Sequence, residues 1–108
     1  TTNNFINNTE TPKETVNSEK DVVYFKVQIE TSEKKISLTD PKFKGYTVSQ
    51  YQQDGLYKYT VGSYANGLEE ANSMKNKLRV NGFQHAFVVA FLNGERINLQ
   101  KAIKLAEK

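Results

Sequence analysis

The sequence predicts an α+β domain, a single antiparallel sheet of about four to five strands with helices packed on one face, preceded by a disordered N-terminal tail over residues 1–20. Three observations predict it. β-Branched and aromatic residues gather in short alternating runs, two of the junctions between runs are Asp-Gly and Asn-Gly, and two stretches carry apolar residues at helical spacing.

With 108 residues the chain has room for one domain with one modest core. Residues 1–20 are rich in Asn, Thr and Glu with few apolar groups, so they cannot bury enough surface to offset the entropy of ordering. Residues 21–108 are the expected folded unit. The chain begins at Thr1 rather than Met, and a fragment of a longer protein, with any export signal upstream, is the expectation.

The elements follow in order. Val22–Ile29 is the first strand, with Phe25, Val27 and Ile29 alternating against Lys26 and Gln28. Thr39-Asp40-Pro41 ahead of Gly45 reads as a cap, a first-turn proline and a terminating glycine, which predicts one helical turn over Pro41–Lys44 with Phe43 under the sheet. Strands over Thr47–Gln53 and Leu56–Gly62 flank Asp54-Gly55, a pair suited to a type I′ turn. Residues 67–81 form the longest predicted helix. Asn66 and Glu69 are placed for a capping box, Leu68, Ala71, Met74 and Leu78 form the buried stripe, and Gly82 with Phe83 closes the end.

Ala86–Leu92 is apolar on both faces and reads as an interior strand, turned by Asn93-Gly94 into a short partner at Glu95–Ile97. Asn98 then caps a last helix bearing Leu99, Ala102, Ile103 and Ala106 at helical intervals.

Two segments share one pattern. Phe25-Lys26-Val27-Gln28-Ile29 and Tyr57-Lys58-Tyr59-Thr60-Val61 each read aromatic, lysine, apolar, polar, apolar, at the start of each half of a β-α-β, β-α-β order. On these residues, with Gly62-Ser63-Tyr64 after the second, the chain resembles the SPOR family over about residues 22–97. The segments FKVQI, FKG, GLYKYTVGS and AFVVAFLNGERI are most similar to C-terminal SPOR domains of Bacteroidetes N-acetylmuramoyl-L-alanine amidases. Glu30 stands where that family usually has Gly, and the first helix is nearly absent.

The resemblance implies an RNP-like pseudo-repeat fold and binding to septal peptidoglycan, especially glycan strands stripped of stem peptides. It also implies a periplasmic or cell-envelope location, with the parent protein a candidate amidase. Such a ligand is rich in hydroxyls and has apolar ring faces, which suits amide, hydroxyl and ammonium groups beside flat aromatics. Alternation places Val27, Ile29, Tyr59 and Val61 inside and directs Lys26, Gln28, Lys58 and Thr60 outward as a polar row. Gln28 leads the candidates because an amide both donates and accepts; Tyr51, Tyr64 and Arg96 complete the set, and Tyr24 is a further candidate for the groove edge.

Other classes fit less well. With no cysteine and a single histidine, His85, there is no material for a thiolate or multi-histidine metal site or a Ser-His-Asp arrangement, and neither catalytic residues nor cofactors are expected. Glu69 and Glu70 are adjacent and serve as first-turn helix charges rather than an acid–base pair. A net charge of +3 is a weak footprint for nucleic acid. The alternative of an RRM-like RNA-binding domain lacks the basic-Gly-aromatic step before Phe87. No apolar run approaches the roughly 18 residues that span a bilayer, so no membrane contact is expected of this segment. Docking of a division protein on the sheet is a further alternative.

Overall fold

The computed structural model describes residues 22–107, so the tail expected over residues 1–20 lies outside the described residues. Strand β1 (Val23–Ser32) leads through a 3-10 turn (Pro41–Phe43) to β2 (Val48–Gln53) and β3 (Leu56–Ala65). Helix α1 (Leu68–Val80), β4 (Phe87–Leu92), β5 (Glu95–Ile97) and α2 (Leu99–Ala106) follow. The fold is α+β, and its strands form one antiparallel five-stranded sheet in the order β2-β3-β1-β4-β5. Exchanging β1 with β3 and β2 with β4 maps the first four positions of that order onto themselves in reverse, as the paired sequence pattern requires.

Each turn has a local cause. Asp54-Gly55 and Asn93-Gly94 occupy positive φ at both positions, 57° and 76°, 53° and 83°, which is the demand of a type I′ hairpin. The Asp40 carboxylate accepts from the Lys42 N–H at 2.9 Å and Pro41 opens the 3-10 turn. Phe43 is buried there, 5.3 Å between ring centroids from Tyr59. At the end of α1, Gly82 takes φ 107° and the Phe83 N–H reaches the Leu78 carbonyl at 2.9 Å, closing the last turn. Asn98 caps α2 by accepting from Lys101 N–H at 3.1 Å.

Both helices cover the same face. Val23, Phe25 and Val27 of β1, Val88 and Ala90 of β4, and Tyr59 and Val61 of β3 point to it and meet Ala71 and Leu78 of α1 and Ala102 of α2. Full burial of a Val, Leu or Phe side chain contributes about 1.5–3 kcal/mol, so this layer carries most of the driving force.

Three expectations change. β1 continues past Ile29 to Ser32, and β3 past Gly62 to Ala65, because each strand absorbs one extra residue in a bulge. One bulge lies at Gly62, opposite the step from Phe25 to Val27, where Gly62 holds φ 80°; the other lies between Gln28 and Glu30. The capping box of Asn66 with Glu69 does not form. Helix α1 starts after Gly67 with no side chain on its first N–H groups, and the Asn66 side chain instead accepts from the Val23 N–H at 3.1 Å.

Candidate functional site

The two bulges flank a symmetric point in the sheet. Gln28 and Thr60 occupy equivalent positions in the two similar segments, and they face each other across β1 and β3. Bulges bend strands and increase their twist, and one on each partner curls the sheet away from the helices. The curl is measurable. In a flat sheet the outer strands β2 and β5 would stand four spacings apart, about 19 Å. Here the Arg96 Nη1 of β5 donates to the Gln53 Oε1 of β2 at 2.9 Å.

Alternation and register bring six of the seven predicted residues to the helix-free face. Lys26 and Gln28 come from β1, Lys58 and Thr60 from β3, Tyr51 from β2 opposite Lys58, and Arg96 from β5 opposite Phe91. Tyr64 does not join them. It pairs opposite Phe25 and packs against the helix-side core with Leu68 and Leu99.

The outward polar row expected from alternation is corrected in one respect. Gln28 is only 4% exposed and Thr60 1%. They lie on the expected face, but the curled edge strands fold side chains over them. Tyr51 reaches across from β2, its hydroxyl donating to Gln28 Oε1 and its ring standing edge-on to Phe91 at 4.9 Å between centroids. Gln28 Nε2 in turn donates to Thr31 Oγ1 at 3.1 Å. Lys26 Nζ sits 4.8 Å from the centroid of the Phe91 ring, a cation–π contact.

Two cations converge on one neutral oxygen. Gln53 Oε1 accepts from Lys58 Nζ at 2.8 Å as well as from Arg96 Nη1 at 2.9 Å. Arg96 Nη1 also lies 3.3 Å from the Tyr51 hydroxyl oxygen, and Arg96 Nε is buried without a hydrogen-bond partner among the described residues. Carboxylates of the same strands face elsewhere. Glu30 stands opposite Tyr59 and pairs with Lys42 at 3.6 Å, while Glu95 stands opposite Leu92 on the helix side. Burial pushes the Tyr51 phenol above its ordinary value, and the neighbouring Arg96 partly opposes that rise.

The rim of the face is apolar and aromatic. Tyr24 and Phe87 are 44% and 42% exposed. Tyr24 sits opposite Phe91 and Phe87 opposite Gln28, so the two rings flank Lys26 at opposite ends of the β1–β4 pair. Phe87 also lines a shallow pocket of about 200 Å³ with Gln28, Thr31 and His85. No group of three His, Cys, Asp or Glu side chains among the described residues could hold a metal ion.

Three members of this face escaped the sequence reading. Gln53 lies two residues beyond Tyr51, and period-two alternation alone assigns it to the same side. Phe91 and Phe87 belong to a run apolar on both faces, where alternation carries no signal. No protein-family model, no curated protein and no solved structure matches the chain.

Proposed function

We propose that this chain is a SPOR-type, non-catalytic module that binds peptidoglycan glycan strands freed of stem peptides, and that it holds a cell-wall protein, an amidase by resemblance, at the division septum in the periplasm or cell envelope. The reading is carried by one observation. The helix-free face gathers three cations, two carboxamides and a phenol, with no strand carboxylate directed to it, between the exposed rings of Tyr24 and Phe87. Hydroxyl-rich sugars need mixed donors and acceptors, and their ring faces pack on aromatic surfaces. Acidic sugars add a demand for cations. The site residues are Lys26, Gln28, Lys58, Thr60, Tyr51 and Arg96, joined by Gln53, Tyr24 and Phe87.

Gln28 and Thr60 serve this reading from beneath, by fixing Tyr51 and the curl rather than by touching sugar. The RNA-binding alternative loses support at Phe91, which would have to stack a base but is already engaged by Tyr51 and Lys26.

The test is retention of the 108-residue chain on purified sacculi, before and after an amidase strips the stem peptides. Stripping should increase retention, and Lys26→Ala should reduce it while lowering the melting temperature by no more than the few degrees its contact with Phe91 contributes. Retention that vanishes on stripping would overturn the reading.

A further inference from the structure

We propose that the Gln53 carboxamide holds the place of a ligand carboxylate, and that the helix-free face is closed by an internal stand-in which an acidic sugar displaces. This rests on the reading of that face as the glycan-binding surface, and it adds the ligand chemistry and the manner of entry.

The geometry is specific. Lys58 and Arg96 come from different strands, β3 and β5, and meet on a single amide oxygen at 2.8 and 2.9 Å. Bringing two like charges together has a Coulombic cost, and a neutral oxygen offsets it less than an anion would. Charge-assisted hydrogen bonds are roughly twice as strong as neutral ones. The second acceptor near Arg96, the Tyr51 hydroxyl, is also neutral and sits at 3.3 Å. Arg96 Nε, buried and unpartnered among the described residues, leaves one guanidinium donor unused. A carboxylate at the Gln53 position would accept from Lys58 and Arg96 together, and its second oxygen would take the Nη2 N–H beside Nη1, while the Nε N–H lies on the other edge of the guanidinium.

The same contact is a closure. It is a direct hydrogen bond between the two outer strands of the sheet, and the same Arg96 Nη1 reaches the Tyr51 hydroxyl that covers the buried Gln28. An acid that replaces Gln53 releases β2 from β5 at that point, so entry of the ligand and opening of the face are one event. Neutral sugars lack the group that makes this exchange favourable.

The test uses the full chain with two preparations of denuded glycan strands. One is native, with its lactyl carboxylates; the other has the same strands with those carboxylates converted to methyl amides. Native strands should bind about tenfold or more tightly than amidated ones. Gln53→Glu, which builds the anion into the protein, should raise the melting temperature and weaken binding of native strands by about the same factor. Equal binding of native and amidated strands overturns this inference and leaves the glycan reading intact. Binding of neither overturns both. A Gln53→Glu protein that melts no higher and binds as the parent does also overturns it.

Discussion

Val23 and Asn66 exchange two hydrogen bonds: the Val23 N–H donates to Asn66 Oδ1 at 3.1 Å, and the Asn66 N–H donates back to the Val23 carbonyl at 2.6 Å. Asn66 does this from the left-handed region, at φ 52°. It extends the β1–β3 ladder by one pair beyond Tyr24–Ala65 and turns the chain into α1 in the same residue.

Asn66→Ala therefore removes a hydrogen-bond acceptor and, with it, the polar side chain that lets Asn hold the left-handed region better than Ala does, for a loss of about 1–3 kcal/mol. Asn66→Gly keeps the backbone geometry and loses only the side-chain bond, so it should fall between wild type and Ala. Urea denaturation of the three proteins checks the order. Equal midpoints would mean that the Asn66 side chain adds nothing.

Gly62 carries a different constraint. It sits in the β3 bulge at φ 80°, and a β-carbon there would lie 2.7 Å from the Tyr64 ring. The ring can swing away, but the backbone angle cannot relax without undoing the bulge that curls the sheet. Gly62→Ala should cost about 1–3 kcal/mol, and the same cost should appear when Gly62→Ala is made in a Tyr64→Ala background. A cost that vanishes in that background would assign it to the ring instead.

The stretch between β1 and β2 is tied to β3 through the Tyr59 ring and hydroxyl. Phe43 inserts under the sheet against Tyr59, and the Tyr59 hydroxyl accepts from the Ile36 N–H at 2.7 Å. Tyr59→Phe leaves that N–H without its partner, a loss of about 1–2 kcal/mol. Phe43→Ala opens a cavity and should cost about 3–5 kcal/mol. Amide hydrogen exchange distinguishes the two. Tyr59→Phe should speed exchange at Ile36 first, whereas Phe43→Ala should speed it across the whole core.

How much of this was legible follows from which interactions are local. The Asp54-Gly55 and Asn93-Gly94 turns were legible because few residue pairs accept positive φ twice running, and Phe43 was legible because Asp40, Pro41 and Gly45 punctuate the turn around it. Asn66 was misread because an Asn side chain serves a helix N–H or a strand N–H equally well, and the choice depends on Val23, 43 residues away. The side of the sheet taken by Gln28 and Thr60 was legible from alternation. Their burial was not, since alternation says nothing of curvature, and curvature here comes from two bulges in the pairing of β1 with β3. The meeting of Lys58 and Arg96 on Gln53 depends on that same curl.

Tyr51 gives the curl a pH signature. Its phenol is partly buried in the face it closes, and that burial lifts its folded-state pKa above the ordinary 10.0, with Arg96 partly opposing. The unfolded chain then loses the proton first. Between the unfolded and folded values the native state binds more protons, so stability falls as pH rises through that window, and below the unfolded value the contribution is fully present. Tyr51→Phe cannot ionise there. It should be less stable than wild type at neutral pH, because the Gln28 carboxamide loses a donor, and its melting temperature should fall less steeply than wild type above pH 10.0. The two melting curves plotted against pH should therefore converge as alkalinity increases. Parallel curves through that range would mean that the Tyr51 phenol titrates alike in the folded and unfolded chains.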